Sequence, residues 1–430
     1  MVSVRTTSRS ALQATAAHWK VLLVEDQRSL AQMTAKMLHD RWDCHVLIAT
    51  SLAEVRAIIA DEKKKFSLAV SDLNLPDAPN GEVIKELVDA GIPVVAMTGT
   101  FDDRLYDVFM QKGLVDYVLK GSLDAYIYIT ELVGRLNRNR STKVLIVDDS
   151  EPHLQLIEAM LHRQLLQVFH ARNAEEGLKV LEKHPDTRLM LIDAIMPGIQ
   201  GVEFVSVVRQ RFGKERLAII GITGVNDPRM SARFIRHGAN DFIFKPFSYE
   251  ELSCRVNQNL DMLERLDAMH VLAYTDYLTS LPNRRMLFEK GRTLHELSRQ
   301  AKESQTLAIL DIDHFKHVND QFGHEFGDLV LQHLSGALAQ GFRNDFVARI
   351  GGEEFVLLIK GNHSAALKRL EALRRAVEGH PVVAGDVSIP YTVSIGAVAI
   401  EEESLENALR TADSRLYLAK EAGRNRVVSK

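Results

Sequence analysis

The sequence predicts an α/β protein: two doubly wound domains in tandem, then a third part of different design. Three observations carry that expectation. The chain repeats itself once. The repeat is built from short apolar runs that end on acidic, hydroxyl or cationic residues. The stretches between the runs have helical periodicity, as in Ala31, Met33, Thr34, Met37 and Leu38. Short apolar runs of this kind read as buried parallel strands, and strands alternating with helices make a doubly wound sheet.

The first copy opens with Val21-Leu22-Leu23-Val24-Glu25-Asp26, and the second with Val144-Leu145-Ile146-Val147-Asp148-Asp149, an offset of 123. Leu68–Asp72 matches Leu189–Asp193 at an offset of 121, each followed by a proline, Pro76 or Pro197. Val94–Gly99 matches Ile219–Gly224, and Asp116–Lys120 matches Asp241–Lys245, both at 125. Only small loop insertions separate the copies. An open parallel sheet places its site at the carboxyl ends of the strands. There the acidic pair, the lone Asp, the Thr and the Lys fall in both copies.

Composition narrows the classes further. The 430 residues, 46% apolar and 26% charged, suit about three ordinary domains. The formal charge of −4 does not suit a chain built to coat DNA or an anionic membrane. No stretch approaches 18 consecutive apolar residues, so no membrane span is expected. Cys44 and Cys254 cannot make a disulfide framework or a four-ligand zinc site, which points to a reducing cytoplasm. Residues 1–18 read as a flexible lead-in.

The repeated constellation resembles the receiver domain of bacterial response regulators, over 19–137 and 142–262. The resemblance implies a five-stranded parallel sheet in each copy. Three carboxylates in one crevice repel unless a hard cation binds, and Mg²⁺ favours such oxygen ligands. Glu25, Asp26 and Asp72 would hold it in the first copy, and Asp148, Asp149 and Asp193 in the second. By the same resemblance Asp72 and Asp193 are phosphoacceptors. Thr98 and Thr223 would donate to phosphoryl oxygens, and Lys120 and Lys245 would pair with their charge. Tyr117 and Phe242 stand where the family places an aromatic that repacks on activation. The alternative is a set of unrelated surface acids, which a five-part set recurring in one order disfavours. Neither copy lacks a required group.

From Ser248 a stripe of Leu252, Val256, Leu260, Leu263, Leu266 and Met269 marks one helix face. It is either the last helix of the second domain packed on its own sheet, or, in its later turns at 263–275, a short coiled-coil connector.

The third part, 276–430, opens with Asp276-Tyr277-Leu278-Thr279. It contains Leu307–Asp313, His314–Asp320, Gly323–Asp328, Arg349-Ile350-Gly351-Gly352-Glu353-Glu354-Phe355 and Leu416–Arg426. A strand ending at Asp311 beside a Gly-Gly hairpin suits a metal held against a polyphosphate. On a regular strand Glu353 and Glu354 point to opposite sides, and Glu353, nearer the turn, is the expected metal ligand. A carboxylate at Asp328 suits the neighbouring N–H donors of guanine better than adenine.

This region resembles a GGDEF diguanylate cyclase domain in its GGEEF variant, an α+β fold. Receiver–receiver–GGDEF is the architecture of the PleD-type response regulators. The resemblance implies condensation of two GTP into cyclic di-GMP by a homodimer, with Mg²⁺ or Mn²⁺ and a sensor histidine kinase or phosphotransfer protein upstream. Asp311, Glu353 and the Ile312 carbonyl would bind metal, with Glu354 beside them. Asn319 and Asp328 would read guanine. Lys316, Lys420 and Arg424 would hold the triphosphate, although the last two could merely compensate a helix C-terminus. His314, His317 and His324 read as exposed or capping residues. The family's Arg-x-x-Asp inhibitory element is incomplete: Asp345 is present, but Phe342 stands at the Arg position and Arg343 is one residue late. Weak or absent product inhibition is expected. The competing function is a catalytically silent GGEEF regulator that binds nucleotide and signals by contact.

Overall fold

The apolar runs become strands because each is buried on both faces, and the side chains alternate between two cores. Leu22 and Val24 enter one core of the first sheet, and Val21 and Leu23 enter the other. In a computed structural model, residues 19–61, 65–99, 108–110, 113–224, 228–385, 387–400 and 404–430 are described. The lead-in expected at 1–18 lies outside them.

The first sheet consists of β1 (Lys20–Val24), β2 (His45–Ala49), β3 (Leu68–Asp72), β4 (Val94–Thr98) and β5 (Asp116–Leu119), all parallel in the order β2-β1-β3-β4-β5. Around it lie α1 (Arg28–Trp42), α2 (Leu52–Ile59), α3 (Glu82–Asp89) and α4 (Leu123–Asn139). The Ser51 side chain caps α2 by accepting from the Glu54 N–H. The strand order reverses at β1, which puts the switch-point crevice at the ends of β1 and β3.

The second sheet repeats this plan. It consists of β6 (Lys143–Val147), β7 (Gln167–Ala171), β8 (Leu189–Asp193), β9 (Ala218–Thr223) and β10 (Asp241–Phe244), again all parallel. Its helices are α5 (Glu151–Arg163), α6 (Ala174–Lys183), α7 (Gly201–Arg209), α8 (Pro228–Arg236) and α9 (Tyr249–Tyr274). Leu252, Val256, Leu260 and Leu263 of α9 are buried in this domain's own core, whereas Met269 is 63% exposed. The stripe therefore starts as the domain's last helix.

The chain divides into two compact units, one ending at Leu266 and the other resuming at Asp267. Within the first unit the two parallel sheets are joined by specific contacts. Arg135 of α4, only 4% exposed, pairs with Asp261 and Glu264 of α9. Tyr249 Oη donates to the Val115 carbonyl at 2.8 Å, and Asn139 Nδ2 donates to the Gln164 carbonyl at 2.8 Å.

The second unit is built on a mixed sheet. Its strands are β11 (Gln305–Ile312), β12 (Phe346–Gly351) and β13 (Glu354–Lys360), then β16 (Val393–Ile400) and β17 (Val427–Val428); β14 (Val382–Ala384) and β15 (Val387–Ile389) form a separate pair. The central β11 runs antiparallel to both neighbours, β13 and β16, and only β16 and β17 pair in parallel. The helices are α10 (Arg292–Gln300), α11 (Phe315–Phe322), α12 (His324–Gly341), α13 (His363–Gly379) and α14 (Leu405–Glu421). The fold class is thus the expected one: two doubly wound five-stranded parallel domains and an α+β third.

Candidate phosphoryl and nucleotide sites

Each predicted pocket residue of the first domain sits where a strand runs out. Glu25 and Asp26 follow β1, Asp72 ends β3, Thr98 ends β4 and Lys120 follows β5. Glu25, Asp72 and Thr98 are buried. Lys120 Nζ lies 2.6 Å from Glu25 Oε2 and 2.6 Å from Asp72 Oδ2. Burial pushes the Glu25 carboxyl upward despite the bond from Lys120. Burial works against the Lys120 charge, but its bonds to the two carboxylates outweigh that and raise it. With two acidic partners on one ammonium, the charged lysine is the state the geometry supports. Glu25, Asp26 and Asp72 each offer an oxygen, all within 4.8 Å of one another. That donor set fits a hard divalent cation.

The second domain places the same groups at the same strand ends. Asp148 and Asp193 are buried, and Thr223 is fully buried. Lys245 Nζ lies 2.9 Å from Asp148 Oδ2 and 2.7 Å from Asp193 Oδ1. It is also 3.0 Å from His153 Nδ1, a neighbour that no motif announced. Asp149 is exposed, and among the described residues only the first domain groups three carboxylates closely enough to share an ion. The loop after β8 folds back tightly. Ile195 N–H donates to Asp193 Oδ2 at 3.0 Å, and any side chain at Gly201 would collide with the Asp193 carbonyl. Tyr117 is buried, whereas Phe242 is half-buried and meets Phe244 edge-on.

In the third domain Asp311, 4% exposed, lies near the end of β11 directly opposite Glu354 on β13. Glu353 sits in the turn between β12 and β13, beside Gly352 at φ +44. Strand alternation therefore does not constrain Glu353, and both glutamates bear on Asp311. Burial chiefly pushes the Asp311 carboxyl up to about 6; Lys420 opposes this, and the charges of Glu353 and Glu354 add to it. Lys420 Nζ is 2.8 Å from Asp311 Oδ2, so it pairs directly with that buried carboxylate and is more than a helix-end charge.

Asn319 on α11 has its Oδ1 buried with no hydrogen-bond partner among the described residues, an acceptor left over for a donor from outside. Gly327 makes room for it, since a Cβ there would strike that oxygen. Asp328 follows on α12 and is exposed, as is Lys316 on α11. Arg424 lies in the turn after α14 at φ +62. His314, His317 and His324 are exposed.

Two residues that the motifs contained, but that sequence reasoning left without a role, tie this site together. Arg349 donates to Asp276 Oδ1 at 2.8 Å and to the Gly352 carbonyl at 2.7 Å. Asp276 also accepts from Thr279 Oγ1 at 2.7 Å. The opening Asp-x-x-Thr motif is thereby fastened to the hairpin that carries Glu353. The signal was present as two fixed letters, but a half-buried pairing 73 residues apart has no local signature.

Doubly wound domains with a lysine-bridged acidic crevice, followed by a strand-end Asp facing a Gly-Gly-Glu-Glu hairpin, define a class of signalling protein. The response regulator receiver domain family matches residues 21–127 and 144–257, and the family described as diguanylate cyclase, GGDEF domain, matches 273–426. The response regulator PleD of Caulobacter vibrioides is 33% identical over 459 residues, spanning 96% of this chain and 99% of that protein. The diguanylate cyclase DgcP of Pseudomonas aeruginosa is 44% identical over 160 residues, 36% of this chain and 24% of that one. A solved two-component response regulator/GGDEF domain protein is 40% identical, with a TM-score of 0.53, and covers 57% of this chain and 99% of its own. The chain belongs to the response regulators that carry a GGDEF domain, and its third part is a diguanylate cyclase domain.

Proposed function

We propose that the protein is a phosphorylation-regulated diguanylate cyclase that condenses two GTP into cyclic di-GMP as a homodimer, in the cytoplasm, under a sensor histidine kinase or phosphotransfer protein. The observation that carries the reading is the buried Asp311, faced by Glu353 and Glu354 and answered by Lys420, with the spare Asn319 acceptor as a place for a guanine donor. Each protomer holds one GTP, with Asn319 and Asp328 on the base and Lys316, Lys420 and Arg424 on the triphosphate. Asp311, the Ile312 carbonyl and Glu353 would hold Mg²⁺ or Mn²⁺, which would supply charge stabilisation at the reacting phosphate. Lys420, which pairs with Asp311 in this structure, would be free to meet a phosphate oxygen when Asp311 holds the cation. Each 3′-oxygen attacks the α-phosphorus of the other nucleotide. The α–β bridging bond breaks, pyrophosphate leaves, and Glu353 draws off the hydroxyl proton. Orientation and fixed charge carry such chemistry.

Asp72 and Asp193 are the phosphoacceptors, with Thr98 and Lys120, and Thr223 and Lys245, contacting the phosphoryl group. In each pocket Glu25, Asp26 and Asp72, or Asp148, Asp149 and Asp193, would hold Mg²⁺.

Product inhibition is weak in this reading. Asp345 is already satisfied by Arg369 Nη2 at 2.6 Å and the Lys360 N–H at 3.0 Å, and Phe342 is buried beneath the Arg369 guanidinium.

The test is incubation of the purified chain with GTP and Mg²⁺, with and without a small-molecule phosphoryl donor, followed by nucleotide separation. Cyclic di-GMP formation, stimulated by the donor and abolished by Asp311→Asn, is expected. No product under either condition would favour the silent, contact-signalling alternative.

A further inference from the structure

Gly423, Arg424 and Asn425 follow α14 with φ of +105, +62 and +46, three left-handed residues in a row. Asparagine tolerates that conformation, but arginine adopts it only where its surroundings hold it there. The backbone N–H of Asn425 donates to Asp313 Oδ2 at 3.0 Å. Asp313 is 6% exposed and lies two residues beyond Asp311. Its carboxylate is held in turn by Thr392 Oγ1 at 2.7 Å and Ser394 Oγ at 2.6 Å. A second anchor comes from Arg374 Nη1, which donates to Asn425 Oδ1 at 2.6 Å.

We propose that Asp313 is a positioning residue for the triphosphate grip. It references the strained Arg424 turn to the strand end that carries Asp311, so that the arginine and the metal ligands meet the same phosphate chain. The inference rests on the reading of Arg424 as a phosphate contact. Asp313 itself touches no substrate. It acts by fixing where the guanidinium starts from, an entropic cost that the substrate otherwise meets on binding.

The full chain serves for the test, with KM for GTP, kcat, and affinity for a non-reactive GTP analogue measured in single and double variants. Asp313→Ala is expected to raise KM and weaken analogue binding about tenfold, with kcat falling less than about threefold. Asp313→Asn recovers most of that loss, because its amide oxygen can still accept from the Asn425 N–H. Thr392→Val, isosteric and so gentler on the fold, gives about a threefold rise. In an Arg424→Ala background both Asp313→Ala and Thr392→Val add less than about twofold, because the route ends at the missing guanidinium. Undiminished effects in that background, or a fall in kcat at constant KM, overturn the inference. An Arg424→Ala variant with unchanged KM instead removes the phosphate reading of Arg424, and the proposed route with it.

Discussion

The two receivers carry the same five groups in the same order, yet their pockets are not in the same condition. In the first, Lys120 bridges Glu25 and Asp72, and Asp26 swings close enough for three carboxylate oxygens to share one ion. In the second, Lys245 bridges Asp148 and Asp193 and also meets His153, while Asp149 is exposed. The motif decides which groups converge. Outside the motif the copies differ beside the pocket: Leu30 stands in the first copy where His153, which meets Lys245, stands in the second.

The largest test of that contrast removes the lysine. Lys120→Ala leaves two buried carboxylates without a counter-charge, and breaking a buried pair from one side costs about 3–5 kcal/mol. Lys245→Ala is expected to cost less, because His153 Nδ1 remains 3.5 Å from Asp148 Oδ2. Urea unfolding in a metal chelator reads both variants, followed by tryptophan fluorescence for the first receiver, where both tryptophans, Trp19 and Trp42, lie. Backbone amide signals around Asp193 follow the second. Equal losses would break the contrast, and added Mg²⁺ should restore much of the Lys120→Ala loss.

Most of the fold was legible because it is periodic. A strand buried on both faces is an unbroken apolar run, and its end is marked by the first charged residue, so Glu25, Asp72 and Asp193 could be placed at strand ends, and Asp311 one residue short of one, from sequence alone. The repeat placed each receiver lysine at its strand end, but that it bridges two carboxylates there, Lys120 on Glu25 and Asp72 and Lys245 on Asp148 and Asp193, came only from the structure. Other features had no local signature. Arg349 to Asp276, Asp313 to Asn425 and Arg135 to Glu264 each join residues far apart in the chain, and nothing in the neighbouring sequence announces the partner. The turn position expected for Glu353 holds, but the condition of a regular strand does not. The glycine turn takes Glu353 out of the strand, so alternation no longer separates it from Glu354.

The receivers also differ in what they lend each other. The first contributes Arg135 and Arg138 of α4, and the second contributes Asp261 and Glu264 of α9. Arg135 is buried, but its acidic partners are partly exposed. Removing the arginine therefore leaves groups that water can reach, and Arg135→Ala should cost about 2 kcal/mol, less than the lysine changes. The loss should appear as separated unfolding transitions of the two receivers in calorimetry. A single unchanged transition would show that the pair does not join them.

The catalytic domain supplies a third strand-end carboxylate with a lysine on it, but here one lysine serves one buried acid, with Glu353 and Glu354 adding their charge. The Asp311 carboxyl, pushed up to about 6, holds a proton in the folded state over a range where an unfolded Asp has lost it. In metal-free protein this group therefore adds stability at low pH and loses that contribution as pH rises through about 6. A cation needs the ionised form, so below pH 6 its apparent affinity at this site should fall roughly tenfold per pH unit. Metal titration at pH 7, 6 and 5 measures this, and Asp311→Asn should lack the step. A flat affinity over that range would remove the distinction between one-acid and two-acid lysine clamps.

The smallest expected effect bears most directly on the opening contrast. If the first pocket is ready for a cation because Asp26 already faces Glu25 and Asp72, deleting that carboxylate removes a ligand that needs no rearrangement. Asp26→Asn should then weaken Mg²⁺ binding to the first receiver about tenfold, on the scale of one charged ligand in a partly hydrated site. Asp149 must first turn inward, so part of what it gives to binding is spent on that reorientation, and Asp149→Asn should weaken the second site only about threefold. Tryptophan fluorescence again isolates the first receiver, and backbone amide shifts around Asp193 follow the second. Tenfold losses at both sites would mean that Asp149 swings in without cost, and the two receivers would then differ in resting geometry alone.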